Sequence, residues 1–312
     1  MLSRVAESLY WMSRYMERTD SMMRMLKTNY ASSQDATQAF SWRPILKIFT
    51  YTDNEQLTAL ENDSRAVLQF MIVEKTNPNS VYNMVIRSRE NARSVQDHIT
   101  KELWQCLNEF YYVVKDEKLL HQIKRDDPVT TLDYLIRQSM LYYGISESTM
   151  FRGEGFAFIS LGRYLERATQ AVDILDVKFS DLSYDMETTT DVVYWKHLLL
   201  SVSGYALYLK TYRSAFEARN VIDQIIFNTN FPRSVLYSLN AVHKYFERLN
   251  DESNSEGGRQ INFLIGKLRT KIQYTNLQNV SEMGLHNFLS TLNEDLRGIG
   301  NALNRYYFAN SY

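Results

Sequence analysis

The sequence contains three segments that recur in the same order at nearly constant spacing. Ser-Arg-Tyr-Met-Glu-Arg-Thr at 13–19 matches Gly-Arg-Tyr-Leu-Glu-Arg-Ala at 162–168, 149 positions later. A segment that begins at Trp42 matches one that begins at Trp195, 153 positions later, and a third match, ending at Val81 and Val235, lies 154 positions apart. Three ordered matches with so little drift predict a tandem duplication of a unit of about 150 residues.

Residues that interrupt regular structure are scarce. Four prolines and eleven glycines in 312 residues are too few for the many turns of a sandwich or barrel of short strands. Apolar residues instead follow helical spacing, as in Val5, Leu9, Met12 and Met16. We therefore predict an all-α fold, a helical bundle made of two tandem helical repeats related by a pseudo-two-fold axis.

The repeats are predicted to cover 1–150 and 151–312 and to pack as one compact unit. Their boundary is expected in the glycine-containing loop 143–155. An uninterrupted helix is predicted from Pro78 to about Lys118, with the proline at its first position and Asn77 as its cap. Further helices are predicted at 132–142, 156–178, 191–226 and 232–249, with a final pair after a polar turn at 251–258.

The balance of charge limits the classes of partner. Lys and Arg total 35 against 36 Asp and Glu, so no overall field attracts nucleic acid or an anionic membrane. The most apolar stretch, 198–209, is too short to span a bilayer, and the first residues lack the apolar region of a signal peptide. The single cysteine, Cys106, is predicted to be a small buried hydrophobe. We expect a cytoplasmic protein.

Each repeat carries a glutamate between two arginines on one helical face. These residues are Arg14, Glu17 and Arg18 in the first repeat and Arg163, Glu166 and Arg167 in the second. Apolar neighbours indicate partial burial, and buried charges must be paired. In one interpretation each glutamate satisfies arginines of its own or the facing helix and sets the register of the repeats. In the other, surplus guanidinium groups bind a carboxylate or phosphate ligand.

A second arginine-rich segment occurs in the first repeat alone. It consists of Arg87, Arg89, Glu90 and Arg93, whereas the corresponding positions of the second repeat are Ala241, His243, Lys244 and Glu247. Packing that both repeats share cannot require these arginines. They are therefore candidates for binding an acidic ligand, substrate or partner, and a solvated charged face is the alternative.

Motifs for metals and cofactors are not apparent. His98 and Glu102 lie one helical turn apart, but no third ligand is evident and a surface pair is expected. The sequence has no His-Glu-x-x-His, Walker or Gly-x-Ser-x-Gly motif. We expect no metal and no cofactor. The tyrosines are spread along the chain and are assigned to helix interfaces.

These segments resemble the alpha-E family, bacterial all-helical proteins named for a Glu-Arg motif. The resemblance is carried by 2–18, 77–81, 89–93, 161–167 and 231–235. It implies partners among circularly permuted ATP-grasp ligases and transglutaminase-like peptidases, and a role in making or modifying peptides or amides. The segment 203–208 departs from the more polar sequence expected there.

Three functions follow as hypotheses. The first is an accessory or co-catalytic subunit that docks on an ATP-grasp-type ligase and holds an acidic peptide or acyl-phosphate group on its arginine-rich face. The second is an enzyme acting on peptide or amide bonds, with Glu17 or Glu166 as general base beside oxyanion-stabilising arginines. Neighbouring cations lower a carboxylate's pKa and weaken it as a base. The third is a structural scaffold, such as a homo-oligomer, without a small ligand.

Overall fold

A computed structural model describes residues 1–35, 41–50, 53–188, 192–213, 216–249 and 255–308. Over these ranges the regular structure is helical and contains no strand, which confirms the all-α prediction. The α-helices, numbered along the chain, are α1 Ser3–Asp35, α2 Arg43–Phe49, α3 Asn54–Leu60, α4 Ser64–Ile72, α5 Val81–Ser94, α6 Lys101–Lys115, α7 Glu117–Arg125, α8 Pro128–Thr149, α9 Glu154–Ser180, α10 Val192–Ser201, α11 Tyr205–Tyr212, α12 Ala218–Ile226, α13 Val235–Glu247, α14 Glu256–Gln273, α15 Leu277–Met283 and α16 Leu285–Leu303.

The chain divides into two compact units, and one division lies within α1. Unit 1 comprises Met1–Arg14 and Phe151–Tyr312, and unit 2 comprises Tyr15–Met150. The long first helix therefore supplies its opening turns to one unit and the rest to the other. The duplication itself stays a prediction.

In unit 2, α5 and α6 pack against each other, and α8 packs against α6 and α7. The predicted continuous helix from Pro78 to Lys118 is wrong. A 3-10 turn, Gln96–His98, separates α5 from α6, so two amphipathic helices bury their apolar faces against each other. Helical periodicity continues through the break, and so the apolar pattern alone did not reveal it.

The caps of these helices also differ from the prediction. Ser80, not Asn77, caps α5, and its Oγ accepts a hydrogen bond from the Asn83 backbone N–H at 3.2 Å. Asn77 instead orders the preceding loop, donating to the Phe70 carbonyl oxygen at 3.1 Å. Proline therefore lies before the helix in a turn, and a serine two residues later begins it.

The loop predicted at 143–155 and the short helix predicted at 132–142 are also corrected. Helix α8 runs from Pro128, which is its first residue after the Asp127 cap, to Thr149. The connection to α9 is limited to the few residues around Met150 and Gly153. Gly144, which falls in the predicted loop, lies inside α8 and does not interrupt the helix.

In unit 1, α9 is central and packs against α12, α13 and α16. Nearly every residue from Phe156 to Leu165 is buried, which is typical of a helix surrounded by others. Cys106, in unit 2, is also buried, as predicted, and burial raises the pKa of its thiol to about 12. None of the described helices is long and apolar enough to cross a membrane.

The predicted helix 191–226 is wrong, because the described part of this segment forms α10, α11 and α12. Backbone angles in the left-handed region at Ser203 (φ 57°) and Arg213 (φ 49°) end the regular helical path. Gln224 closes the first break by donating to the Gly204 carbonyl oxygen at 2.7 Å. The small residues near Gly204 thus make a tight turn.

The last part of unit 1 also has more helices than predicted. Helix α13 begins at Val235 after the Ser234 cap, and not at Pro232. The final pair becomes α14, α15 and α16, followed by a π-helical turn, Asn304–Phe308. Part of the polar turn predicted at 251–258 lies outside the described residues.

Candidate functional site

Within unit 1, one arginine of the first Glu-Arg motif forms an ion pair with the buried glutamate of the second. Arg14 Nε donates to Glu166 Oε2 at 2.7 Å, and Arg14 Nη2 lies 2.6 Å from the same oxygen. Glu166 is 1% exposed, and its Oε1 accepts a hydrogen bond from Gln170 Nε2 at 3.0 Å. Both carboxylate oxygens of Glu166 are therefore engaged inside the protein.

The surroundings of Arg14 maintain its charge. Burial lowers the pKa of Arg14, but the electrostatic effects of Tyr10 and Glu166 outweigh it, so that the pKa lies above its usual value. Arg14 Nη1 donates to the Tyr10 hydroxyl at 3.0 Å, and the guanidinium lies 5.0 Å from the centre of the Trp11 ring. The group acts as a permanent internal cation.

Close approach of the backbone brings the two partners together. A Cβ atom added to Gly162 would lie 2.3 Å from the Tyr10 carbonyl oxygen, so no larger residue fits without movement. Tyr10 and Arg14 are one turn apart on α1, and Gly162 and Glu166 are one turn apart on α9. The glycine that opens the second motif is thus the contact point that sets the pair.

Both arginines of the second motif lie close to the ring of a tyrosine. The guanidinium groups of Arg163 and Arg167 each lie 5.2 Å from the centre of the Tyr164 ring. That ring stacks on Tyr245 of α13, with centroids 6.0 Å apart and planes 11° apart. Burial is the main reason that the pKa of Tyr164 is raised. Sequence reasoning missed this stack, because Tyr164 and Tyr245 are brought together only by helix packing.

Arg167 also connects α9 to the loop before α13. Its Nη1 donates to the Pro232 carbonyl oxygen at 3.0 Å, and the residue is 6% exposed. A buried guanidinium that binds a main-chain carbonyl holds the loop in place. The Phe-Pro-Arg-Ser-Val segment and the second Glu-Arg motif are therefore parts of one structural contact.

In unit 2, the glutamate of the first motif is fully buried. Glu17 accepts a hydrogen bond from the Tyr143 hydroxyl of α8 at 2.7 Å. One turn further along α1, Asp20 accepts from Ser139 Oγ at 2.6 Å and from Arg24 Nε at 2.9 Å. Arg18 is half-buried on the same helix. Glu17 and Asp20 of α1 thus bind α8.

The arginine segment of α5 separates into a packed residue and exposed residues. Arg89 Nε and Nη2 each donate to Asn108 Oδ1 at 3.2 Å, and its guanidinium lies 5.1 Å from the Trp104 ring centre and 4.7 Å from that of Tyr111. These three partners belong to α6, so Arg89 joins α5 to α6. Its Nη1 also forms an ion pair with Glu90 Oε1 of α5 at 2.5 Å.

Arg87, Glu90 and Arg93 are exposed on the same helix. Arg93 is paired with Glu90 at 3.3 Å, and Arg87 lies 5.9 Å from the centre of the Tyr15 ring. The structure thus packs Arg89 against α6 and leaves Arg87 and Arg93 exposed, with Glu90 bound to both Arg89 and Arg93. His98 and Glu102 are both exposed.

Comparison with known proteins gives the family. The model of Alpha-E, a predicted alpha-helical domain with a conserved ER motif, matches residues 1–308. An uncharacterized protein of Mycobacterium bovis is 21% identical over 318 residues, covering 95% of this chain and 35% of the relative. An uncharacterized protein of Mycobacterium tuberculosis strain H37Rv is 20% identical over 318 residues, with the same coverage.

The chain thus spans about a third of the length of the curated relatives it matches, 35%. No solved structure matches it. The family match covers nearly the whole chain and includes both Glu-Arg motifs. This protein belongs to the alpha-E family.

Proposed function

We propose that this protein is a helical accessory or co-catalytic subunit that acts with an ATP-grasp-type ligase in peptide or amide synthesis or modification. The observation that carries the proposal is the burial of the motif carboxylates. Glu166 is 1% exposed and bound to a guanidinium, and Glu17 is 0% exposed and bound to a tyrosine hydroxyl. Carboxylates in such positions build a scaffold, which leaves bond-forming chemistry to a partner.

The length of the relatives supports a partnership. In the mycobacterial proteins the matched segment is 35% of the chain, so a domain of this kind occurs joined to further sequence. We propose that this domain contacts its partner by docking. A transglutaminase-like peptidase is the second partner that we propose on the family resemblance.

The enzyme hypothesis gains no support from this geometry. A general base must reach the proton that it removes, and a cation beside a carboxylate lowers its basicity. Arg14 binds one carboxylate oxygen of Glu166, and the remaining oxygen accepts from Gln170. The arrangement favours a positioning role for the motif.

The exposed arginines of α5 are the surface that we propose for an acidic peptide or acyl-phosphate group. Arg93 is 62% exposed and Glu90 is 46% exposed, and an exposed ion pair of this kind is worth about 1 kcal/mol or less. An incoming carboxylate or phosphate can therefore replace Glu90 as the partner of Arg93 at little cost, while Glu90 keeps its ion pair with Arg89. Arg87 supplies a second cation one or two turns away on the same helix.

The spacing of the helices supports the proposal that the chain arose by duplication. Helices α4 and α12 begin at Ser64 and Ala218, and α5 and α13 begin at Val81 and Val235. Both pairs of starting residues are 154 positions apart, like the third sequence match. On this proposal the arginines of α5 were gained by one copy, or lost by the other, after the doubling.

The test is a titration with an acetylated hexaglutamate peptide and, separately, co-elution with a purified ATP-grasp-type ligase of the same organism. We expect the Arg87→Ala/Arg93→Ala double variant to bind the peptide about tenfold more weakly or worse, because two charge-assisted contacts are removed. The matched control is Lys101→Ala/Lys124→Ala, which removes two exposed cations of the same unit. Equal affinity of both variants for the peptide would contradict the binding face. The scaffold hypothesis predicts that neither peptide nor ligase binds.

A further inference from the structure

Unit 2 contains a cleft that none of the motif residues enters. It has a volume of about 440 Å³ and lies where the end of α6, the start of α7 and the first half of α8 meet. Binding sites for small molecules have volumes of about 300 to 1,000 Å³. The cleft is therefore large enough for a small metabolite.

Two cationic side chains of the cleft have no polar partner among the described residues. The side chains of Lys118, on α7, and Arg137, on α8, line the cleft and make no hydrogen bond or ion pair with another described residue. Nearby cations of this unit differ: Lys27 binds Asp133 at 2.5 Å, and Arg65 donates to the Ile123 carbonyl oxygen at 2.7 Å. The hydrogen-bond donors of these two side chains are therefore available to a ligand in the cleft.

A carboxylate and an apolar wall complete the lining. Asp116 caps α7, with its Oδ1 accepting from the Lys118 backbone N–H at 2.9 Å, and this keeps one negative charge at the cleft. Leu119 is buried beneath it, and Tyr134 lines it while remaining 42% exposed. Cations, an anion and an apolar surface are therefore present together.

We infer that this cleft binds an α-amino acid or a short peptide through its free carboxylate. Arg137 offers the planar fork that matches a carboxylate, with Lys118 as a second charge. Asp116 complements the ligand's ammonium group, and Leu119 and Tyr134 accept an apolar side chain. Inorganic phosphate fits less well, because its second negative charge would be repelled by Asp116 and it does not use the apolar wall.

The inference is separate from the proposed partnership, since it involves neither the arginines of α5 nor another protein. It can be tested with the full chain alone. The probe is the dipeptide glycyl-leucine, titrated by calorimetry and by changes in amide NMR shifts. The comparison compounds are N-acetyl-leucine amide, which lacks both charges, and inorganic phosphate.

We expect saturable binding of glycyl-leucine and none of N-acetyl-leucine amide. Arg137→Gln and Lys118→Gln should each raise the Kd about tenfold, because each removes a charged contact from an exposed position where folding is not at risk. Lys124→Gln is the matched control, since Lys124 is an exposed cation of the same helix as Lys118 and does not line the cleft. Its Kd should equal that of the wild type.

The inference is overturned if glycyl-leucine shows no saturable binding, or if the uncharged amide binds as tightly. It is also overturned if phosphate binds more tightly than the dipeptide, or if all three variants have the same Kd. The Arg87→Ala/Arg93→Ala variant should bind glycyl-leucine like the wild type. Failure of the α5 binding face and failure of the cleft are therefore distinguishable.

Discussion

At the scale of single residues, Arg14 and Glu166 form an ion pair in the interior of unit 1. Desolvation of two charges costs several kcal/mol per ion, and attraction offsets it only when the geometry is good and further hydrogen bonds are made. Here Tyr10 and Gln170 supply those bonds. Both charges of the pair are therefore hydrogen-bonded to a further residue.

We predict that Glu166→Gln lowers the free energy of unfolding by about 3 kcal/mol, because it leaves the Arg14 guanidinium, in a side chain that is only 15% exposed, without its counter-charge. Urea unfolding monitored by circular dichroism measures the change. The control is Glu187→Gln, which removes an ion pair with Arg219 whose carboxylate side chain is 66% exposed. That change should be within about 1 kcal/mol of zero. Equal effects of the two variants would show that the Glu166 pair is not structurally decisive.

At the scale of elements, helix contacts depend on a few residues that fit no alternative. Gly162 permits α9 to touch the backbone of α1 at Tyr10, and Arg89 joins α5 to α6 through Asn108. The first contact lies within unit 1 and the second within unit 2. The first contact depends on the absence of a side chain at Gly162, and the second depends on the hydrogen bonds of a charged side chain. Substitutions at the two positions therefore destabilise the protein for different reasons.

Gly162→Ala should destabilise the protein by about 1 to 3 kcal/mol, because a Cβ atom 2.3 Å from a carbonyl oxygen forces the two helices apart. The matched control is Gly266→Ala, in α14, where nothing lies within 4 Å of the added atom. Alanine has the better helix propensity, and we expect that control to stabilise by up to about 1 kcal/mol. Thermal unfolding of both variants compares them. A neutral Gly162→Ala would mean that the helices are not in close contact.

Arg89→Ala should cost about 2 kcal/mol, because it removes hydrogen bonds from a charged donor and two cation–aromatic contacts between α5 and α6. Arg93→Ala, on the same helix and 62% exposed, should cost about 0.5 kcal/mol or less. Chemical denaturation distinguishes them. If Arg93→Ala were the more damaging variant, the assignment of Arg89 as the packed residue would be wrong.

At the scale of the whole molecule, α1 belongs to two units. Met1–Arg14 is part of unit 1, although most of unit 1 lies after Phe151. A cut at the predicted boundary between the repeats would therefore remove the partner of Glu166 from the rest of its unit. Unit 1 thus includes the first 14 residues as well as the residues after the predicted repeat boundary.

We expect a fragment of residues 151–312 to be poorly folded, because it leaves Glu166 buried without Arg14 and exposes the apolar surface that α1 covers. Adding a peptide of residues 1–35 should restore helicity and protect backbone amides of α9 from hydrogen exchange. A peptide of the same length with Arg14→Gln should restore much less. A fragment 151–312 that is fully stable alone would contradict the assignment of the first 14 residues to unit 1.

The helical class, the paired Glu-Arg segments and the family could be predicted from the sequence. Glu17 and Glu166 were identified as buried candidates, and apolar neighbours were the reason. Tyr143, Tyr245 and Ser139 were missed, because each contacts a residue on another helix. Gln170 was also missed, although it lies one turn from Glu166 on the same helix. The division of the arginines of α5 was also missed, since periodicity does not state which side a neighbouring helix covers.

The sequence by itself determined what local physics controls: few breakers, helical spacing of apolar residues and charged groups one turn apart produce helices with polar faces. Only the tertiary structure decided which of those charges are paired with another residue of the protein. Arg14 finds Glu166 across more than 150 residues of chain, whereas Arg137 and Lys118 find no described partner. Burial and pairing are set by contacts between residues far apart in the chain. For this reason one arginine, Arg14, holds two helices together, whereas another, Arg137, is available to a ligand in the binding that we infer.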